Sequence, residues 1–285
     1  MNLTGWLWGH ASFVEKELQV SFRSCAIALL VAVLGAPTGA AMRAQDNSAE
    51  QDVTLRVLSY NIHHCEGTDG ELSVKRIADI IRASNADLVA LQEVDHTMTR
   101  SEQVDQLAEL AKLTGLEGRF AKAIDIQGGE YGQAVLSRFP ITEFSVHELP
   151  GLQGRETRVL GIAQIDINGS QLTFATTHLD HQLSDVRLKQ AIEINRLMPK
   201  TDRPAIICGD FNAVPTSATM LEIHKLWTLV MGEQPIATIP SGKPTRQIDF
   251  VAVKPAARFK SVSLEVLDEP IASDHLPVLA VVELR

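Results

Sequence analysis

Residues 53–95 read VTLRVLSYNIHHCEGTDGELSVKRIADIIRASNADLVALQEVD, and this stretch decides the fold class. Its first part, VTLRVLSYNI, alternates apolar and polar residues as a strand does. The middle part, SVKRIADIIRAS, has apolar residues at helical spacing and begins with Ser73, a residue type that caps helices well. The last part, ADLVALQEV, fits a buried strand. The stretch therefore predicts a strand, a helix and a second strand.

The rest of the chain continues this alternation. Strands are predicted for GQAVLSRFPI, PAIICGDF, RQIDFVAVKP, FKSVSLEVLDE and DHLPVLAVVELR, and helices for VDQLAELAKLTG, ended by Gly115, and SDVRLKQAIEINRLMP. The segment VLGIAQIDINGSQLTFATTHL predicts a hairpin that turns at Asn168 and Gly169. Helices that alternate with strands, with hairpins among them, predict a layered α/β domain with mixed sheets.

Composition limits the class of protein and of partner. The chain has 285 residues, of which 45% are hydrophobic and 21% charged, as in globular proteins. Its formal net charge of −9 weighs against a basic nucleic-acid-binding surface. Nucleic acid stays open as a substrate, because bound divalent cations can reverse the local field.

The N-terminal segment differs from the rest of the chain. Arg23 precedes an apolar run from Cys25 to about Gly35, and small residues follow as far as Ala44. This order predicts a secretory signal peptide over residues 1–44, with an N-terminal anchor or a core helix as alternatives. Residues 45–285 then form the folded domain, in a secreted or periplasmic protein. A disulfide between the two remaining cysteines, Cys65 and Cys208, is left open.

Polar side chains occur at or beside the ends of six predicted strands. They are Asn61, Glu93, His178, Asp210 with Asn212, Asp249, and Asp274 with His275. In layered α/β folds, active sites gather at one rim of the sheets, where many loops contribute side chains. The sequence therefore predicts one polar site at such a rim.

The residue types at this rim restrict the chemistry. Four ionised carboxylates, those of Glu93, Asp210, Asp249 and Asp274, need a cation if they lie together. Oxygen ligands suit Mg²⁺, with Mn²⁺ as the alternative, rather than zinc. Such a cation beside imidazoles can polarise a phosphoryl oxygen and activate a water, so hydrolysis of a phosphate ester ranks first among the reactions.

Each motif alone also has an ordinary structural explanation. The acidic residue of LQEVD fits a turn, the polar pair of GDFN fits a cap, and the histidines of TTHLDH fit a turn. In YNIHH, two adjacent histidines on a strand point to opposite faces, so that at most one of them would face a site. The joint occurrence of all six motifs favours function over these explanations.

Taken in order, these motifs resemble those of the endonuclease/exonuclease/phosphatase superfamily. The stretches that carry the resemblance are residues 60–95, YGQAVLSRFPI, THLDH, CGDFNAVPTS, IDFV and SDHLPV, and they span the chain from about Val53 to Arg285. The resemblance implies a four-layered α/β sandwich, two mixed β-sheets flanked by helices, as the fold of a catalytic domain over residues 45–285. It also implies a Mg²⁺ site at one end of the sheets, with Glu93 as principal ligand and Asn61 and Asp274 close to the ion.

The resemblance further implies catalytic roles. His275 would pair with Asp249 and meet the phosphate or its attacking water. Asp210 would orient or deprotonate that water, Asn212 would hold the water or a phosphoryl oxygen, and His178 would donate to a non-bridging oxygen. Whether Asp210 or His275 is the general base stays open at this point.

Two more residues are candidates for binding the substrate. Arg158 and Tyr131 resemble residues that members of the superfamily direct at phosphate, and two glycines before Tyr131 predict a flexible loop. The preferred substrate is a phosphodiester that is small or lipid-linked. The alternatives are a nuclease on single-stranded or fragmentary nucleic acid and an inactive binding module. No stable protein partner is implied, and a monomer is expected.

Overall fold

The computed structural model describes residues 52–232 and 236–285, so the predicted signal peptide and Cys25 lie outside the described residues. The strands are β1 (Val53–Asn61), β2 (Leu88–His96), β3 (Glu117–Ile126), β4 (Gly129–Ser137), β5 (Ile141–Glu148), β6 (Val159–Ile167), β7 (Ser170–His178), β8 (Ala205–Asp210), β9 (Thr228–Leu229), β10 (Asp249–Lys254), β11 (Phe259–Val266) and β12 (Val278–Leu284). The helices are α1 (Val74–Ser84), α2 (Gln106–Thr114), α3 (Ser184–Leu197) and α4 (Ala218–Ile223).

The strands form two six-stranded sheets. The order in the first sheet is β11-β12-β1-β2-β4-β3, and in the second it is β5-β6-β7-β8-β10-β9. Each sheet has one parallel pair, β1 with β2 and β7 with β8, and its other pairs are antiparallel. Both sheets are therefore mixed, as the sequence predicts.

Three apolar clusters separate four layers. Along β1, Leu55 and Val57 belong to the cluster between the sheets, whereas Leu58 and Tyr60 belong to the cluster beneath α1 and α2. This division follows from the two-residue period of a strand, which sends successive side chains to opposite faces. A third cluster fills the space between the second sheet and the helices α3 and α4. The predicted four-layered α/β sandwich is confirmed.

Local signals in the sequence have the expected structural effects. Ser73 caps α1, since its hydroxyl accepts a hydrogen bond from the backbone N–H of Arg76 at 3.2 Å. Gly115 ends α2 in the left-handed conformation, with φ of 73°. Asn168 and Gly169 have φ of 53° and 96°, as expected for a two-residue hairpin turn between β6 and β7.

Other features of the described residues differ from the sequence-based picture or add to it. The strands β3, β5 and β9 and the helix α4 were not predicted, and Tyr131 lies within β4 rather than in a flexible loop. Cys65 and Cys208 are both free, and they lie in different apolar clusters. Among the described residues, no helix is both long and apolar enough to cross a membrane.

We expect Gly132→Ala to destabilise the fold. A Cβ atom at this position in β4 would overlap the backbone carbonyl oxygen of Ala121 in the neighbouring strand β3. The expected loss in the free energy of unfolding is about 3 kcal/mol, the upper end of the usual range for overpacking. Urea unfolding measures it, with Gly242→Ala as control because a Cβ atom there meets nothing within 4 Å. Equal midpoints for the two variants would contradict the prediction.

Candidate active site at the rim of the two sheets

The strand register of the second sheet brings three predicted site residues side by side. His178 at the end of β7 pairs with Asp210 at the end of the parallel strand β8. Asp210 in turn pairs with Asp249, the first residue of the antiparallel strand β10. All three side chains are buried. One imidazole and two carboxylates therefore lie next to one another at a single sheet end.

The first sheet contributes Asn61 and Glu93 at the same rim. A β-bulge in β2 places Glu93 in the left-handed conformation, with φ of 60°, and such bulges re-aim side chains. The carboxamide nitrogen of Asn61 donates to Glu93 Oε1 at 3.0 Å and to Asp210 Oδ2 at 3.3 Å. Its oxygen accepts from the backbone N–H of His63 at 3.1 Å, which fixes this orientation of the amide. Asn61 thus joins the two sheets.

The segment from Ser273 to His275 reaches the rim because β12 runs antiparallel to β1, with Val278 opposite Ser59. The hydroxyl of Ser273 donates to the backbone carbonyl of Asn61 at 2.8 Å and accepts from the N–H of His275 at 3.2 Å. The carboxylate of Asp274 lies 3.4 Å from this hydroxyl. Among the described residues, no hydrogen bond joins Asp274 to Glu93 or Asn61. Its predicted role near the ion stays a prediction.

His275 and Asp249 form a buried ion pair. Nδ1 of His275 lies 2.9 Å from Asp249 Oδ2 and 3.2 Å from Oδ1. Burial opposes the charge on the imidazole, but the Asp249 carboxylate outweighs this effect and raises the pKa of His275 to about 10. The other ring nitrogen, Nε2, lies 3.7 Å from Asp210 Oδ2. His275 therefore presents a protonated nitrogen to the site.

Asp210 is the carboxylate that the other groups surround. Its Oδ1 accepts from the backbone N–H of Asn212 at 2.8 Å, and its Oδ2 lies 3.4 Å from His178 Nε2. Burial and the neighbouring Asp249 carboxylate raise the pKa of Asp210 to about 7. Burial lowers the pKa of His178 well below its ordinary value, and the positive charge of Arg158 adds to this effect. His178 is therefore neutral.

A cavity of about 380 Å³ opens onto these groups. Seven of the ten predicted site residues line it: Glu93, Tyr131, Arg158, His178, Asp210, Asn212 and His275. The other three, Asn61, Asp249 and Asp274, contact or adjoin lining residues. Met98, Ile124 and Ile126 add an apolar wall. The structure thus brings all ten residues to one rim, beside a cavity with both polar and apolar lining residues.

Arg158 has an unusual environment for an arginine. It is only 3% exposed, and its Nη2 donates to Nδ1 of His181 at 3.2 Å. Its Nη1 lies 3.0 Å from Glu156 Oε1, but without hydrogen-bond geometry, and Nε and Nη1 have no hydrogen-bond partner among the described residues. Burying unpaired donors of a cation is unfavourable. These donors therefore suit an anionic group in the cavity.

Sequence reasoning missed several residues of the cavity. Arg100 makes a two-pronged ion pair with the buried Asp95, with both N–O distances at 2.8 Å, and lies 5.5 Å from the centre of the Tyr131 ring. His181 and Glu156 line the same cavity. Asp95 and His181 belong to the motifs LQEVD and THLDH, which indicate a functional site, whereas nothing in the sequence marks Arg100.

The expectation for His63 and His64 was wrong. The strand β1 ends at Asn61, and both histidines lie in a 3₁₀ turn, His63–Cys65, in which each has φ of 43°. A turn does not send neighbouring side chains to opposite faces as a strand does. One ring nitrogen of each histidine and one carboxylate oxygen of Glu93 all lie within 4.8 Å of one another.

The donor set at the rim fits a divalent cation. Glu93 and Asp210 approach the same carboxamide nitrogen of Asn61, and Asp249 lies beside Asp210. Asp210, Asp249 and His275 also have ligand atoms within 4.8 Å of one another, and because His275 is protonated the two carboxylates are the metal-binding groups of this set. Carboxylates that are crowded in this way are the ligands that hard divalent cations prefer.

We expect Asp249→Asn to lower the pKa of His275 in the metal-free protein. The substitution removes the carboxylate that contributes most to stabilising the imidazolium, so that only the carboxylates of Asp210 and Asp274 still oppose the effect of burial, and the pKa falls below about 10. Proton-detected NMR titration of the imidazole measures the shift, and Asp268→Asn on the exposed surface is the control. An unchanged titration of His275 in Asp249→Asn would show that the ion pair does not determine its charge.

Known proteins resemble this chain over most of its described length. The model of the Endonuclease/Exonuclease/phosphatase family matches residues 58–275. Uncharacterized protein YbhP of Escherichia coli strain K12 is 24% identical over 250 residues, which cover 82% of this chain and 98% of that protein. An endonuclease/exonuclease/phosphatase structure from Beutenbergia cavernae has a TM-score of 0.69 at 24% identity, covering 81% of this chain and 72% of that one. Mannosyl-6-phosphatase of Bacteroides thetaiotaomicron has a TM-score of 0.65 at 20% identity, covering 80% and 99%.

Proposed function

Because the chain belongs to the endonuclease/exonuclease/phosphatase family, whose members include hydrolases of phosphate esters, we propose that it is a Mg²⁺-dependent phosphodiesterase. One observation carries this proposal. One cavity, of a size that suits a small substrate, brings together the Asp249–His275 pair, Asp210, His178 and Glu93. Such a group combines metal ligands, a proton acceptor and hydrogen-bond donors to an oxyanion.

Glu93, with Asn61 and Asp274, would hold Mg²⁺, or Mn²⁺ as the alternative. A cation bound there supplies positive charge that polarises a phosphoryl oxygen and lowers the pKa of a water molecule. The Asn61 carboxamide orients Glu93 through the hydrogen bond of 3.0 Å. It also orients Asp210, so that the cation ligand and the proposed proton acceptor are positioned by one side chain.

The remaining residues handle the proton and the phosphate. Asp210 accepts a proton from the attacking water, because the ion pair with Asp249 already keeps His275 protonated. The Nε2–H of His275 then faces the phosphate and stabilises its developing negative charge. His178, which is neutral, donates to a non-bridging oxygen, and Asn212 holds the water.

The cavity supports a substrate with an organic group next to the phosphate. The unpaired nitrogens of Arg158 and the neutral hydroxyl of Tyr131, whose pKa burial raises, are suited to a second phosphoryl oxygen. The apolar side chains of Met98, Ile124 and Ile126 suit a carbon-rich substituent, as in a small or lipid-linked diester.

Two alternatives remain. Single-stranded or fragmentary nucleic acid is also a phosphodiester, but the net charge of −9 disfavours a long polyanion. An inactive binding module would keep the same residues, and a measurement of turnover separates it from an enzyme. We further propose that the protein acts as a monomer. We also propose that it is exported or anchored through residues 1–44, because Arg23 precedes an apolar run in this segment.

The first test compares hydrolysis of bis-p-nitrophenyl phosphate with that of p-nitrophenyl phosphate by the 285-residue chain. We expect metal-dependent turnover with Mg²⁺ or Mn²⁺, none with EDTA, and faster cleavage of the diester. Glu93→Ala should abolish this turnover because it removes the principal ligand. Glu265→Ala, an exposed carboxylate on the edge strand β11, should retain it.

Turnover by Glu93→Ala at the wild-type rate would disprove the assigned site. Faster cleavage of the monoester would replace the phosphodiesterase with a phosphatase, the activity named for the Bacteroides thetaiotaomicron structure. If the wild-type chain cleaves neither ester nor single-stranded oligonucleotides but still binds Mg²⁺, the binding module is favoured instead.

We also expect His275→Ala to lower kcat by roughly 100-fold or more, the usual scale for removing one donor that stabilises a developing negative charge. The substitution removes the donor that faces Asp210 and leaves Asp249 without its partner. Steady-state kinetics measure the effect, and thermal unfolding shows whether the variant is folded. A folded His275→Ala variant with unchanged kcat would remove this residue from the mechanism.

A further inference from the structure

The turn that follows β1 presents two imidazoles to Glu93, and its geometry is typical of metal-binding histidines. Nδ1 of His63 lies 3.1 Å from the backbone carbonyl of Glu66, and Nε2 of His64 lies 3.1 Å from the carboxylate of Glu66. Histidines that bind metals use one nitrogen for the metal and direct the other at a carbonyl or carboxylate. Glu66 supplies both partners here, which leaves Nε2 of His63 and Nδ1 of His64 for an ion.

One of these two nitrogens is an unexplained buried polar atom. His64 is only 6% exposed, and its Nδ1 has no hydrogen-bond partner among the described residues. Buried polar atoms in folded proteins almost always have a partner. If Nε2 of His64 carries the proton and donates to Glu66, Nδ1 has a free lone pair. A cation would give this nitrogen the partner that it lacks.

The backbone holds both rings in place at a cost in conformational energy. His63, His64 and Cys65 have φ of 43°, 43° and 63°, and the left-handed region is unfavourable by about 1–2 kcal/mol per residue for ordinary side chains. Gln106 of α2 fixes the turn, since its side-chain nitrogen donates to the carbonyl of His64 at 2.6 Å. Such strain persists where surrounding structure enforces it, and it clusters at functional sites.

We propose that His63, His64 and Glu93 form a transition-metal site beside the predicted Mg²⁺ site, with Glu93 common to both. One ring nitrogen of each histidine and one oxygen of Glu93 lie within 4.8 Å of one another, close enough for one ion to bind all three. Imidazole ligands favour ions such as Fe²⁺, Co²⁺, Ni²⁺ and Zn²⁺ over Mg²⁺. The site therefore binds such an ion in the presence of excess Mg²⁺.

This site differs from the other group of ligands at the rim, that of Asp210, Asp249 and His275. His275 already uses Nδ1 for the Asp249 carboxylate, and that ion pair favours a protonated ring, which does not bind metals. By contrast, Glu66 leaves one nitrogen of His63 and one of His64 available. The proposal does not rest on the phosphodiesterase activity, because it concerns the binding of an ion.

The test is a calorimetric titration of the 285-residue chain with Co²⁺ in excess Mg²⁺, with visible absorption and pulsed EPR of the bound Co²⁺ as spectroscopic readouts. We expect one Co²⁺ site in the wild-type chain and nitrogen couplings from imidazole in the EPR spectrum. His63→Ala and His64→Ala should each weaken this site by at least about 10-fold and lose a nitrogen coupling. His275→Ala should retain it.

Two further variants make the test specific. Glu66→Gln should weaken Co²⁺ binding by roughly 10-fold, the lower end of the effect of removing a residue that orients a metal-bound histidine. Glu66 is partly exposed, so this variant is expected to fold even if a histidine variant does not. His96→Ala is the matched control, because His96 also lies beside two carboxylates, those of Asp105 and Glu130, at 3.6 and 3.1 Å.

The results decide between this site and others. Loss of Co²⁺ binding in the variants of His63, His64 and Glu66, with retention in His96→Ala and His275→Ala, supports the proposal. Co²⁺ affinity at the wild-type level in Glu66→Gln and in a folded His63→Ala or His64→Ala variant overturns it. Displacement of Co²⁺ by Mg²⁺ in the wild-type chain overturns it as well, since imidazole ligation would resist that exchange.

Discussion

The hydrogen bonds of the Asn61 carboxamide join the two sheets at the point where the candidate chemistry lies. One nitrogen donates to Glu93 of the first sheet and to Asp210 of the second, so the distance between these carboxylates depends on how the sheets stack. One residue before Glu93, the buried side chain of Gln92 donates a hydrogen bond to the hydroxyl of Thr176 across the same interface, at 3.2 Å. The site is therefore a consequence of the packing between the sheets, and a shift of one sheet along the other would separate its halves.

Strand order explains why so many polar residues reach this one rim. The register of the parallel pairs β1–β2 and β7–β8 places Asn61 opposite Gln92, next to Glu93, and His178 opposite Asp210. Antiparallel neighbours begin where these strands end, and so β10 starts with Asp249 and the segment before β12 returns to Asn61. Each strand remains apolar beneath its polar end, and the three clusters of buried side chains offset the cost of collecting charges there.

The sequence predicts the fold well, and it marks the polar residues that meet at the rim, because both are visible in local patterns. Periodicity marks β1, α1 and β2, and a polar residue at the end of an apolar run is visible without knowledge of contacts. The strand β3 was missed because charged residues break its alternation at a sheet edge. The turn at His63 and His64 was misread because its left-handed backbone depends on Gln106, which is distant in sequence. Arg100 was missed because its partner, Asp95, becomes apparent only once the chain has folded.

The cavity combines cationic groups with carboxylates, although the protein as a whole is acidic. The chain carries a formal charge of −9, yet Arg100, Arg158 and the His275 imidazolium line one cavity, and the crowded carboxylates beside them favour a bound cation. Asp95 neutralises Arg100, whereas two nitrogens of Arg158 have no hydrogen-bond partner among the described residues. Each of these cations lies beside a carboxylate, Arg100 beside Asp95, Arg158 beside Glu156 and His275 beside Asp249, and of the three Arg158 keeps donors that are unpaired among the described residues. The proposed preference for a compact phosphate ester with a carbon-rich substituent therefore rests on these unpaired donors and on the apolar side chains of Met98, Ile124 and Ile126 in the same cavity.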